Sequence, residues 1–284
     1  MVARLVLYLR MIKFSHSVFA LPFAFTAMVL AADGIPRAGQ ILWIAVAMVS
    51  GRTAAMGLNR IIDRRIDAEN PRTAGREIPS GKIKVTEAMV FVLISLMVFF
   101  FAAYMLNPLC LRLAPIAVFF FILYPYTKRF TWLSHVVLGI AISGAPLGAW
   151  IAIRGSIDVD ILPLCIAVVF WLAGFDVLYA LQDLDFDQSK GLYSIPARFG
   201  VKRALFLSRG FHLITWSLLL VTALVFRLGA LYYIGLLLVA TLLVHEHRLV
   251  KEDDLSKLNM AFFNMNGYIS IAVFLFTTLD IFMK

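Results

Sequence analysis

Apolar runs of 18 or more residues recur along the chain, from about residue 14 to residue 281, and few folds accommodate such a pattern. Each run is long enough to cross a ~30 Å hydrocarbon core as a helix. Charged residues make up only 15% of the 284 positions, against roughly 25% in soluble domains, and the mean hydropathy is +0.88. The pattern predicts an all-α, polytopic membrane protein forming a single membrane-embedded domain over 1–284. Nine spans are expected, at roughly 14–32, 39–58, 87–106, 110–127, 132–153, 160–181, 203–225, 229–245 and 261–281.

Charge gives the expected orientation through the positive-inside rule. With the N-terminus in the cytoplasm, 19 of the 26 Lys and Arg residues fall on cytoplasmic segments, seven of them between Arg60 and Lys84. The opposite loops hold only Arg37, Arg112, Arg154, Arg227 and Lys284. Nine spans put the C-terminus on the far side. The first run follows a basic start, as in a signal peptide, but it ends in Ala31-Ala32-Asp33 without a clear cleavage site and is read as a span. The net charge of +9 is accounted for by the cytoplasmic loops and anionic lipid. There is no basic and aromatic groove that would suit nucleic acid. Cys110 and Cys165 have no CxxC spacing and read as packing residues. His245 and His247 are two apart, on different helix faces, so a structural zinc site is not expected.

Two cytoplasmic segments differ from the rest in content. After the second span, Asn59, Asp63 and Asp67 stand four apart; after the sixth, Asp176, Asp183 and Asp187 stand at steps of 7 and 4, with Tyr179 between them. On a helix of 3.6 residues per turn each set shares one face. Asp63 and Asp183 are 120 residues apart, as are Asp67 and Asp187, and each stripe precedes an Ile-Pro turn, Ile78-Pro79 and Ile195-Pro196. This suggests a pseudo-repeat of four helices. Carboxylates brought together repel and tend to protonate unless something neutralises them. Their oxygens suit Mg²⁺, which takes one or two carboxylates plus substrate phosphates. The stripes therefore point to Mg²⁺ bridging a diphosphate, with Arg72, Lys128, Arg129 and Lys190 available for the remaining phosphate charge. Asp185 and Glu69 read as solvated loop charges.

Arg52 lies two turns deeper than Asn59 on the same face. An arginine at mid-span costs roughly 2.5–3.5 kcal/mol on insertion scales. It reads as an anion-binding residue facing an internal cavity below the diphosphate, where a second substrate bearing a carboxylate would lie; snorkelling to the interface is the alternative.

The segments NRIIDRRIDAENPRTAGREIPSG (59–81) and DVLYALQDLDFDQSKGLYSIPARFG (176–200) resemble the two signature loops of the UbiA-type intramembrane aromatic prenyltransferases. FSHSVFALPFAF (14–25) and YPYTKRFTWLSHVVLG (124–139) are similar to further segments of that family, and the likeness covers essentially the whole chain. It is greatest to the 4-hydroxybenzoate polyprenyltransferases of ubiquinone synthesis, while relatives that prenylate naphthoates share the same loops. The resemblance implies nine helices around a central cavity capped by the two loops, in a bacterial-type inner membrane. It implies that Asn59, Asp63, Asp67, Asp183 and Asp187 hold a polyprenyl diphosphate through Mg²⁺. Asp176 and Tyr179 would stand beside them, Arg72, Lys128 and Arg129 would contact phosphate, and Arg52 would face the aromatic acid acceptor. The proton acceptor is open between Asp183 and the released diphosphate. The rival class, a cation-coupled transporter, would place its acids near the midplane on broken helices in inverted repeats; here they sit at the rim, and an offset of four spans makes the repeats parallel.

Overall fold

The computed structural model describes residues 2–13, 17–252, 254–255, 258 and 264–284. It contains α1 (Val2–Met11), α2 (Ser17–Ala32), α3 (Ala38–Ile62), α4 (Arg64–Glu69), α5 (Val85–Leu106) and α6 (Pro108–Thr127). These are followed by α7 (Ser134–Arg154), α8 (Leu162–Ala180), α9 (Leu184–Lys190), α10 (Ile195–Val225), α11 (Ala230–Leu249) and α12 (Asn266–Phe282). Among the described residues, seven helices are long and apolar enough to cross a membrane. Two shorter apolar stretches, Leu21–Ala32 and Asn266–Phe282, occupy the first and ninth expected spans. Positions 14–16 and 261–263 of those spans lie outside the described residues.

Local chemistry sets many of the boundaries. The Asn107 side chain accepts from Cys110 N at 2.9 Å, and Pro108 opens α6 at a position where no backbone donor is lost. Ser194 caps α10 by accepting from Ala197 N at 3.2 Å, with Pro196 in the first turn. The expected Ile195-Pro196 turn is thus the start of a helix, and α10 begins eight residues earlier than the hydropathy suggests. Gly200 (φ 77°, ψ 169°) breaks its first turn from the remainder, which explains why apolar periodicity alone does not reveal the early part. The short helix α1 was not expected either; its last residue Met11 and the following Ile12 are buried with Leu58, Ile61 and Val92 of α3 and α5.

From α3 onward the apolar helices pack in chain order, α3 on α5, then through α6, α7, α8, α10 and α11 to α12, while α2 packs chiefly against α7 and α12 and only slightly against α3. The circuit is unequally filled. One side is solid: Phe23, Trp171 and Phe175 stack with ring centroids 4.8 and 4.9 Å apart, within a core drawn from α2, α7, α8 and α10–α12. The other side, between α3, α5, α6 and α7, is hollow.

α7 and α8 approach closely at Gly139, where an added Cβ would stand 2.4 Å from the backbone oxygen of Val169. Small residues allow such contacts between membrane helices. Gly139→Ala should therefore force the pair apart and cost about 1–3 kcal/mol, read as a lower unfolding midpoint in detergent. An unchanged midpoint would mean that this contact is not tight.

Candidate active site

Both acidic stripes sit where an apolar helix stops and a short helix continues it. Asp63 ends α3 (φ −89°, ψ 0°) and precedes α4, which carries Asp67 in its first turn. Asp183 ends a 3₁₀ turn, Leu181–Asp183, after α8 and precedes α9, which carries Asp187 in its first turn. The matching 120-residue offset thus corresponds to matching local structure. Asn59 does not end its helix; α3 runs on to Ile62, and Asn59 O accepts from Asp63 N.

The two helix ends face one cavity of about 310 Å³. Asn59, Asp63, Asp67, Asp176, Tyr179, Asp183 and Asp187 line it, with Arg52, Arg72 and Lys128. Each carboxylate has nearby cations. Lys128 Nζ donates to Asp63 Oδ2 at 2.7 Å, Arg129 Nη2 to Asp63 Oδ1 at 3.0 Å, and Asn59 Nδ2 to Asp63 Oδ2 at 3.1 Å. Arg76 Nη1 donates to Asp67 Oδ1 at 2.7 Å. Arg72 forks onto Asp183, with Nε at 2.8 Å from Oδ1 and Nη2 on Oδ2, and its Nη1 donates to Tyr179 Oη at 2.9 Å. Asn70 Nδ2 adds a 2.8 Å bond to Asp183.

This corrects one step in the argument from charge. Basic side chains pair with Asp63, Asp67 and Asp183 directly, so part of the carboxylate charge is offset within the protein, whereas Asp187 has no such ion pair among the described residues. The electrostatics follow. Burial works to raise the Asp183 pKa, but the bonds from Arg72 and Asn70 outweigh it and hold the carboxyl below the usual range. Burial and the adjacent Asp183 carboxylate push Asp187 up to about 6, despite a bond to Ser194.

The residues still suit a bridging metal. Asp67 is buried, and its Oδ2 accepts no hydrogen bond; Arg60 stands 4.0 Å from it. A buried carboxylate oxygen without a partner is costly and is available to a hard cation. Among the described residues no three acidic, His or Cys side chains form a metal site by themselves, so a Mg²⁺ held here would need phosphate and water oxygens to complete its shell.

A second, apolar cavity of about 480 Å³ adjoins the first. Arg52, Met56, Tyr124, Leu138 and Ile142 line both. Phe99, Phe120 and Phe121 face the second, and its outer wall includes the exposed side chains of Ile116, Ile140 and Ile157 on the lipid-facing surface. Arg52 lines the junction and donates to Ile12 O at 3.3 Å.

The sequence profile of the UbiA prenyltransferase family matches residues 20–268. The chain belongs to the UbiA prenyltransferase family. It is 30% identical to the 4-hydroxybenzoate octaprenyltransferase of Vibrio atlanticus (strain LGP32), covering 87% of this chain and 86% of that one. Identity to the 4-hydroxybenzoate octaprenyltransferase of Aeromonas hydrophila is 31%, with the same coverage. In structure it is similar to the apo form of a UbiA homolog from Aeropyrum pernix K1, at 30% identity and a TM-score of 0.81 over 94% of this chain and 97% of that one. A UbiA homolog from Archaeoglobus fulgidus bound to DMAPP and Mg²⁺, 19% identical, has the same fold at a TM-score of 0.72 over 98% and 99% of the two chains.

In this UbiA-family prenyltransferase two of the expected site residues do not line the polar cavity. Arg129 holds Asp63 from behind, bonding also to Ile62 O at 3.2 Å and Pro125 O at 2.6 Å. Lys190 pairs with Glu69 at 2.6 Å. Glu69 is therefore not merely solvated; the pair clips α4 to α9. Several contributors were not anticipated. Arg76 was counted only as loop charge, and its nine-residue spacing from Asp67 has no helical signal. Arg60, one of the seven bases of the first acidic segment, is buried and donates to Met11 O at 3.0 Å. With Arg52 it satisfies the last carbonyls of α1. An arginine inside an apolar helix, the argument used for Arg52, would have found it. Asn70, Lys13 and His135 complete the lining.

Proposed function

We propose that this enzyme transfers a polyprenyl group from a polyprenyl diphosphate to the ring carbon ortho to the hydroxyl of 4-hydroxybenzoate, releasing diphosphate, in quinone biosynthesis. The observation that carries this is the join between the two cavities: a basic and acidic chamber adjoins an apolar, lipid-facing one, with Arg52 at the junction. The 30% identical relatives that bear the 4-hydroxybenzoate octaprenyltransferase name support that acceptor. The excess of bases at this end supports a cytoplasmic mouth.

Arg72, Lys128 and Arg76 would turn from carboxylates to phosphate oxygens as the donor enters. Asp63, Asp67, Asp183 and Asp187, with Asn59, would hold Mg²⁺, which stabilises the negative charge gathering on the departing diphosphate. The prenyl tail lies in the apolar chamber. The allylic C–O bond breaks, its electron pair leaving with the diphosphate; the ring carbon attacks the resulting cation and then loses its proton. Exclusion of water by the aromatic walls keeps the cation from being captured as an alcohol. A guanidinium at Arg52 binds the acceptor carboxylate.

Purified enzyme given a polyprenyl diphosphate should form a 3-prenylated product from 4-hydroxybenzoate, and excess EDTA should abolish turnover. Dihydroxynaphthoates, homogentisate and a non-aromatic control complete the acceptor panel. Preference for a naphthoate would replace the assigned acceptor, and equal turnover in EDTA would remove the metal from the mechanism.

A further inference from the structure

His135, in the first turn of α7, has only 3% of its surface exposed and uses both ring nitrogens. Ile195 N donates to Nε2 at 3.2 Å, and Nδ1 lies 2.7 Å from Asp176 Oδ2. A backbone N–H can only donate, so Nε2 is the bare nitrogen and the ring proton sits on Nδ1, directed at the Asp176 carboxylate. The imidazole therefore joins three elements: α7, the C-terminal part of α8, and the start of α10. The third matters because Ile195 follows Ser194, which caps α10 and bonds to Asp187.

Asp176 lines the polar cavity seven residues before Asp183. At 1.5 Å per residue it lies roughly 10 Å deeper, toward Arg52 and away from a diphosphate held at the helix ends. We infer that His135 is a positioning residue: its Nδ1–H fixes the Asp176 carboxylate as a hydrogen-bond acceptor for a polar group of the second substrate, and its Nε2 ties that alignment to the Ser194–Ile195 segment of the donor site. The identity of the second substrate as a hydroxylated aromatic acid rests on the function proposed above; the tautomer and the linkage do not.

Two amide variants separate the two bonds. In His135→Asn the side-chain amide nitrogen takes the place of Nδ1, so the donor to Asp176 is kept and the acceptor for Ile195 N–H is lost. In His135→Gln the amide oxygen takes the place of Nε2, so the Ile195 bond is kept and Asp176 loses its donor. A hydrogen bond to a charged group is worth enough to change an equilibrium by ~10-fold or more. His135→Gln should therefore raise the acceptor KM by at least ~10-fold with the prenyl diphosphate KM unchanged, whereas His135→Asn, which leaves the buried Ile195 N–H unpaired, should raise the prenyl diphosphate KM by more than it raises the acceptor KM. Equal effects of the two variants, or a donor KM that rises with the acceptor KM in His135→Gln, would reduce His135 to a packing residue. An independent readout needs no turnover: in ¹⁵N-histidine-labelled enzyme, the signal that disappears in His135→Asn should be that of a neutral Nδ1–H tautomer. An Nε2–H tautomer or a doubly protonated ring would overturn the assignment. If wild-type enzyme used none of the acceptors in the panel, the proposed function would fail while the tautomer measurement still decided the role of His135.

Discussion

Asp67→Asn should lower kcat/KM by ~10²-fold or more, the loss expected when a carboxylate that holds a metal at the leaving group becomes an amide. Asp67 Oδ1 accepts from Arg76 at 2.7 Å, and an asparagine oxygen can still do so. What disappears is the charge on the buried oxygen that accepts no hydrogen bond. Asp183→Asn should have a loss of the same order, but there the amide cannot receive both prongs of the Arg72 fork, so donor affinity should fall as well. Asp63→Ala and Asp187→Ala belong to the same class. Asp63→Ala also leaves Lys128 and Arg129 facing an empty place, and its thermal stability must be measured beside its rate. Near wild-type turnover in Asp67→Asn would show that the unpartnered oxygen binds nothing of consequence.

Arg52→Ala should raise the acceptor KM far more than the prenyl diphosphate KM. Arg52 and Asp63 are eleven residues apart on α3, so about 16 Å separates them along the axis. Arg52 therefore enters the cavity from well below the helix end that carries Asp63. It lines the junction of the two chambers, where a carboxylate could meet its planar fork. Loss of such a pair in a water-poor site should cost roughly 2–5 kcal/mol. Arg52→Lys should recover only part, because a point charge does not reproduce two parallel bonds. The variant also removes the 3.3 Å bond to Ile12 O. Loosening α1 should affect both substrates, since Lys13, beside Ile12, lines the same cavity. A rise in both KM values together would thus assign Arg52 to holding α1, and an effect on the donor alone would move the acceptor elsewhere.

Much of the architecture is legible before folding because lipid imposes a one-dimensional constraint. A helix that crosses the membrane must carry its own apolar length, and each of α5, α6, α7 and α11 ends within a few residues of its hydropathy boundary. Where the boundary depends on something other than apolarity, the reading fails. α3 continues beyond Leu58 into the polar Asn59–Ile62 turn. α10 starts at a Ser-Ile-Pro cap that carries no hydropathic signal. α1, part of a short basic start, is held by two arginine bonds to its last carbonyls rather than by an apolar run of membrane length. The acidic stripes were readable for the same reason as the spans: their spacing is local, and the two copies could be compared directly.

Local spacing thus determined the spans, the two acidic stripes, their common register and the depth of Arg52 beneath them. Tertiary structure decided which charges meet. That Arg72 forks onto Asp183, 111 residues away, and that Lys128 reaches Asp63, 65 residues away, depends on how non-adjacent helices pack. So does the choice of His135 as the partner of Asp176 across 41 residues. The physical reason is range. Helix propensity, hydropathy and face periodicity are set within a few turns, whereas an ion pair in a cavity is worth its desolvation only at near-contact geometry, which no linear spacing encodes.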